Sequence, residues 1–172
     1  YPDKLAHIDL DTFRLIPWDN NTPFFLADYK NNDLTDLAVC PRTLLKKVAA
    51  ECAAMGFAPS FSQEFEWFNY KETPQSLEEK NFHQLTPLTP GMYGYSILRT
   101  SLEDAYYNEL FDSLCAFDIP IEGIHTETGP GVYEAAYSHD EIIRAADKAA
   151  LLKTSVKEIA NKHGIIATFM AK

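Results

Sequence analysis

Glu64 and Glu66 interrupt an otherwise apolar run, Phe61-Ser62-Gln63-Glu64-Phe65-Glu66-Trp67-Phe68. Side chains of an extended strand alternate between its two faces, so a strand here puts both carboxylates on one face. Further along, Glu127 and Glu134 bracket the turn Thr128-Gly129-Pro130-Gly131. Acidic groups inside strand-like runs are costly to bury as bare charges. Either these positions line a solvated sheet face, or something positive sits among them. A divalent metal is the natural partner for oxygen ligands.

The chain has 172 residues, enough for one ordinary domain or for one domain plus part of another. With 46% apolar and 13% aromatic residues it can build a sizeable core. Its net charge of −10 argues against a nucleic-acid or anionic-membrane surface and suits a soluble, metal-binding protein. Cys40, Cys52 and Cys115 are odd in number and show no CxxC or Cys/His zinc spacing. They read as reduced thiols of a cytoplasmic protein. No apolar run reaches the ~20 residues of a membrane-spanning helix, and no basic-then-apolar signal opens the chain.

Residues 13–16 and 23–29 read as short strands joined by the turn Asp19-Asn20-Asn21-Thr22. Pro41 suits the first turn of a helix. That helix carries Leu44, Leu45, Val48, Ala49 and Cys52 at helical spacing and ends at Gly56. The strand 61–68 follows, then an aperiodic excursion over 69–95 that holds Pro74, Pro87 and Pro90. A second helix spans Leu102 to Phe117, and a hairpin joins strands 120–127 and 132–137. Ser138 and Glu141 have capping-box spacing for a helix that runs to about His163 and stops at Gly164, before a closing strand over 165–170. The order defines an α+β fold with a mainly antiparallel sheet and packed helices.

The strand with Glu64 and Glu66, together with a hairpin carrying Glu127 and Glu134, can supply four hard oxygen ligands for Mg²⁺ or Mn²⁺. Two-metal sites with ~3.5–4 Å spacing serve phosphoryl transfer. His125 shares the strand face of Glu127; it either approaches that site or takes a hydrogen-bonded structural role. The aromatic group Phe61, Phe65, Trp67, Phe68 and Tyr70 suits a core better than a stacking platform. Gly129-Pro130-Gly131 lacks the Lys-Ser/Thr of a phosphate loop.

The order and local context of these motifs resemble the glutamine synthetase superfamily over nearly the whole chain. Asp11-Thr12-Phe13-Arg14-Leu15-Ile16-Pro17-Trp18 resembles part of its amino-terminal β-grasp domain, and Cys40-Pro41-Arg42-Thr43-Leu44-Leu45 its first catalytic-domain helix. Glu64-Phe65-Glu66 resembles the metal-binding Glu-x-Glu strand, and residues 127–134 the second metal-binding segment. Asp147, Lys148, Lys157 and His163-Gly164 resemble the long helix that follows, and Ala167-Thr168-Phe169-Met170-Ala171-Lys172 the strand after it. Val132 and Ala171 stand where the commoner pattern has glutamine and proline.

The resemblance implies that residues 1–39 end a β-grasp-like domain and that 40–172 form the first half of a catalytic domain with a curved antiparallel sheet. It implies an ATP- and divalent-metal-dependent ligase that phosphorylates the γ-carboxylate of glutamate, so that ammonia or a related amine displaces the phosphate. Glu66, Glu127 and Glu134 would hold one Mg²⁺ or Mn²⁺, Glu64 would contribute to a second, and Glu122 would lie near the nucleotide. No catalytic role falls to Lys172. Parent proteins of this kind form homo-oligomeric rings; some members are non-catalytic scaffolds, the alternative reading. The family's later segment, with a histidine ligand and phosphate-binding arginines, is not in these residues, so the chain reads as truncated. The expected outcome is that the 172-residue chain alone shows no ATP- and glutamate-dependent phosphate release; robust turnover in that assay would overturn the expectation.

Overall fold

The computed structural model describes residues 3–172. They form two compact units, Tyr1–Phe61 with His139–Asp147, and Ser62–Ser138 with Lys148–Lys172.

In the first unit, β1 (Leu5–Ile16) and β2 (Thr22–Lys30) make a two-stranded antiparallel ribbon. Both strands are longer than their apolar patches predict. The register shifts between Asp9 and Arg14, which breaks the alternation a sequence reading looks for. Thr12 repairs the gap: its hydroxyl donates to the Asp9 carbonyl (2.6 Å) and accepts the Leu26 N–H (2.8 Å). Helix α1 (Pro41–Ala54) starts on proline, as expected. Its predicted apolar face is only partly buried: Leu45, Ala49 and Cys52 are half-buried, while Leu44 and Val48 are 57% and 49% exposed. The helix is instead docked by charge. Arg42 makes a fork with Asp147, Nε to Oδ1 at 2.8 Å and Nη2 to Oδ2 at 2.9 Å, and its Nη1 donates to Asp9 and Asp28. Lys46 joins the same two aspartates. Short β3 (Ser60–Phe61) pairs with β7 (Asp140–Glu141) in this unit.

The second unit is built on a four-stranded sheet in the order β5-β6-β4-β8, antiparallel throughout. Its strands are β4 (Glu64–Tyr70), β5 (Ile121–Thr126), β6 (Val132–Tyr137) and β8 (Ile166–Thr168). One sheet face carries Trp67, Tyr133, Ile124 and Ala135, all buried with Tyr106, Leu110 and Leu114 of α4 (Asp104–Ala116) and with Leu152, Val156 and Ile159 of α5 (Ile142–Lys162). Asn69, fully buried, ties this core together. Its Oδ1 accepts from Trp67 Nε1 (3.0 Å) and from the Tyr106 hydroxyl (2.9 Å), and its Nδ2 donates to the Gly131 carbonyl (3.0 Å). Gly131 has φ +74°, and a Cβ there would lie 2.4 Å from the Asn69 carbonyl oxygen, so only glycine allows this approach.

The excursion over 69–95 is not aperiodic. Helix α2 (Pro74–Glu79) lies within it, closed by a reciprocal cap between Thr73 and Ser76. Serine in place of the usual Glu or Gln at the third helical position hides this box from a sequence search. Leu102 ends a separate helix, α3 (Ile97–Leu102), rather than opening α4. The capping box expected at Ser138 does not form, since Ser138 donates its N–H to Pro120. Glu141 caps α5 instead, accepting from the N–H groups of Ile143 and Arg144. On β5, Ile121 pairs with Tyr137 and Gly123 with Ala136, leaving Glu122 as the extra residue of a bulge.

The charge network predicts an acid-labile first unit. Hydrogen bonds from Arg42 hold Asp9 below the ordinary carboxyl range; those from Lys46 and Arg42 do so for Asp28, against the opposing effect of burial. A depressed carboxyl pKa contributes stability that is present above the unfolded value of ~3.9 and lost as pH falls through the folded value. Arg42→Ala should destabilise the chain by about 3 kcal/mol, because it strands buried carboxylates. Urea unfolding at pH 7 and pH 3 measures both effects, and the loss from the substitution should shrink at the lower pH.

Candidate metal centre

The face of the sheet opposite the core carries Glu64 and Glu66 from β4, Glu134 from β6, and His125 and Glu127 from β5 and its end. Cross-strand register sets them side by side. Glu66 pairs with Glu134, and Glu134 pairs with His125, so one row crosses three adjacent strands. Glu64 is opposite Ala136, which pairs with Gly123, so the next row presents one carboxylate beside two small residues. Glu127 continues β5, donating its N–H to the Val132 carbonyl at 2.9 Å. Among the described residues, His125, Glu127 and Glu134 each offer a ligand atom within 4.8 Å of the others.

The electrostatics are those of crowded like charges. The Glu134 carboxyl is pushed up by burial, opposed by His125 and reinforced by the negative charges of Glu66, Glu64 and Glu127. The Glu127 carboxyl is held down by hydrogen bonds from the Thr128 N–H and hydroxyl and from the Tyr95 hydroxyl, with Lys172 adding to the effect. Even so, Glu127 Oε2 is buried with no hydrogen-bond partner. Lys172 Nζ is 2.8 Å from Glu66 Oε2 and 3.9 Å from Glu127 Oε1, and so brings one positive charge toward this group of acids. An orphaned carboxylate oxygen and a carboxyl disfavoured in its charged form both suit a divalent cation, and carboxylates with one imidazole are a suitable donor set.

The four glutamates singled out from the sequence thus lie on one face. Glu122 does not join them: it is exposed in the bulge. Val132 is 1% exposed, pairs with Phe68 and fills the turn at Gly129, an apolar plug between the two hairpin carboxylates. Tyr95 and Lys172 are the contributors that a reading of the sequence passes over. Tyr95 has φ +55°, unusual for a bulky residue, and its N–H donates to the Thr126 carbonyl (2.6 Å). That backbone brings its ring to 4.6 Å from the His125 ring and its hydroxyl to Glu127. Only the positive φ signals this role, and φ is invisible in an amino-acid string. Among the described residues no helix is long and apolar enough to cross a membrane.

An α+β unit with a carboxylate-rich face on an antiparallel sheet defines the class, and comparison with known proteins places it. The family described as glutamine synthetase, catalytic domain, matches residues 38–172. The chain is 50% identical over 172 residues to type-1 glutamine synthetase 2 of Dictyostelium discoideum, covering 33% of it. It is 33% identical over the same length to glutamate–isopropylamine ligase of a Pseudomonas species, covering 38% of that protein. A solved GmaS complex with ADP superposes on 99% of this chain and 38% of its own, with a TM-score of 0.85 at 23% identity, a likeness of fold. The chain belongs to the glutamine synthetase family. It spans roughly a third of the length of the curated relatives it matches, 33% and 38% of these two.

The crowding predicts that Glu134 costs the fold stability. A carboxyl raised in the folded state withdraws stability as pH rises through its unfolded value, and that loss is complete above the folded value. Glu134→Gln should therefore raise the urea midpoint of the cation-free chain at pH 7. If the midpoint falls instead, Glu134 is not held against repulsion.

Proposed function

We propose that this chain is part of an ATP- and divalent-metal-dependent ligase that joins glutamate, through its γ-carboxylate, to ammonia or a related amine. The supporting observation is the convergence of Glu64, Glu66, Glu127 and Glu134 on one sheet face, with Glu127 Oε2 buried and unpartnered. A scaffold has no use for a cluster that works against its own stability. The names of the relatives, a glutamine synthetase and a glutamate–amine ligase, point the same way.

In this reading Glu66, Glu127 and Glu134 hold one Mg²⁺ or Mn²⁺ and Glu64 contributes to a second. Cations bound there would neutralise charge on a transferring phosphoryl group. Glu134 lies at the centre of the row, between the Glu66 carboxylate and the His125 imidazole. Tyr95 fixes the rotamer of Glu127 through its hydroxyl. Val132 excludes water from the turn between Glu127 and Glu134. Glu122, exposed at the bulge, is assigned to the nucleotide side. We read residues 1–39 as the end of a β-grasp-like domain and 40–172 as the first half of a catalytic domain. The start of the family match at residue 38 and the separate two-stranded sheet of β1 and β2 support this division. The parent protein would act as a homo-oligomeric ring in the cytoplasm.

Trp67 lies beside Glu66 on β4 with its ring in the core, so its fluorescence reports on the strand that holds the acids. Titration with Mn²⁺ or Mg²⁺ should change that signal saturably. The double substitution Glu66→Gln and Glu134→Gln should abolish the response. A saturable response that survives it would place the cation elsewhere and sink the assignment.

A further inference from the structure

We infer that the acceptor is a primary amine with a bulky apolar substituent, held in an aromatic pocket that Phe68, Tyr70 and the loop around Phe82 form at one end of the acidic face. The inference rests on the ligase reading above and narrows its acceptor. The pocket has a volume of about 410 Å³, a size that suits a small molecule. Phe68 and Tyr70 follow Glu64 and Glu66 with period two on β4, so the four share a face. The two rings stack with centroids 6.1 Å apart and 6° between their planes. Beside the acidic row, the next row of this face pairs Phe68 with Val132 and continues to Glu127, whose N–H donates to the Val132 carbonyl. Val132 stands where the commoner family pattern has glutamine, so the row is apolar from the pocket up to Glu127. Met170 lines the pocket two residues past Thr168, the partner of Phe68, and Lys172 beyond it reaches Glu66.

One wall is a loop fixed at its base and strained at its tip. Glu72, 4% exposed, accepts from Lys80 Nζ (2.5 Å), the Ser76 hydroxyl (2.5 Å) and the Thr86 N–H (2.7 Å), and the Lys71 N–H donates to the Thr86 carbonyl. Between these anchors Asn81, Phe82 and Gln84 have φ of +50°, +60° and +52°. Asparagine tolerates that region, whereas phenylalanine and glutamine rarely enter it. Phe82 is thereby held on the pocket wall with its ring largely in water, 69% exposed, and an occupant of the pocket would bury it. Among the described residues that line the pocket there is no Asp, Glu, Lys or Arg. The charged ends of glutamate would lose their hydration there with nothing to pair with. The nucleotide belongs, in the reading above, at the other end of the face, where Glu64 and the Glu122 bulge meet Ala136. Ammonia has no apolar surface to bury. Of the reactants, only the carbon substituent of an amine suits this wall. A substituent held there leaves the nitrogen at the edge of the acidic group, because Phe68 follows directly on the row of Glu66.

The chain has three methionines, Met55, Met92 and Met170, of which Met170 lines the pocket, so ¹³C-methyl-methionine NMR on the full chain locates a ligand. Benzylamine should shift the Met170 signal saturably and leave those of Met55 and Met92 in place. Across ammonium, methylamine, isobutylamine and benzylamine, affinity should rise with apolar size, about fourfold per buried methylene. Phe82→Ala should weaken benzylamine about tenfold, and Phe82→Tyr, which keeps the ring, should not. Unchanged Met55 and Met92 signals in both variants report an intact fold. Equal affinity for ammonium and benzylamine, a Met170 signal that does not move, or full benzylamine affinity in Phe82→Ala would overturn the inference and leave the metal-dependent reading standing. The Mn²⁺ titration of Trp67 on the same sample separates the two. Benzylamine bound as expected by a chain with no Mn²⁺ response would overturn the ligase reading and leave only an amine-binding pocket.

Discussion

The approach of Gly131 to Asn69 holds the second unit in the form that makes the acidic face possible. One buried amide receives the Trp67 indole and the Tyr106 phenol at its oxygen and gives its nitrogen to the hairpin turn. The Asn69 N–H also donates to the Gly131 carbonyl, and the Leu88 N–H to that of Asn69. The turn between Glu127 and Glu134 is thereby clamped to the strand that carries Glu64 and Glu66. The polar hub sits on the core side and the carboxylates on the other, so the sheet transmits order from a fully satisfied network to a deliberately unsatisfied one. Buried polar groups of this kind specify a single arrangement only when every member is paired, as Asn69 is.

Charge does different work in the two units. Around Arg42 it is closed on itself: two cations meet three aspartates, and the network docks a helix whose apolar residues remain largely exposed. Around Glu134 the acids outnumber, among the described residues, the lysine that reaches them, Lys172. The first arrangement resists a change of partner. The second leaves negative charge in excess on one sheet face, a pattern that suits a binding site better than a structural clasp.

The sequence makes some of this legible and conceals the rest for physical reasons. Period two in Glu64-Phe65-Glu66-Trp67 sets the faces of β4, and the turn residues 128–131 announce the hairpin. Glycine at 56 and 164 marks helix ends, both with positive φ. Helix α1 follows the same logic only in part, because Arg42 and Lys46 rather than Leu44 and Val48 face the aspartates that hold it. Helix α2 escapes because a serine replaces the acidic member of its cap. The contribution of Tyr95 depends on a backbone angle, that of Asn69 on contacts 37 and 62 residues away, and that of Lys172 on strand pairing; none has a local signature.

The bulge at Glu122 has a consequence for how β5 can vary. Ile121 lies in the core while Gly123, His125 and Glu127 lie on the acidic side, although all four are odd-numbered positions. The extra residue acts as a phase shifter between two halves of one strand. Deleting it would leave Ile121 directly before Gly123, opposite the adjacent partners Tyr137 and Ala136, so Ile121 would stay in the core and the strand would lose only its bend. Substitution and deletion at this spot therefore both leave the two faces of the strand as they are, and what the extra residue adds is a local bend and twist.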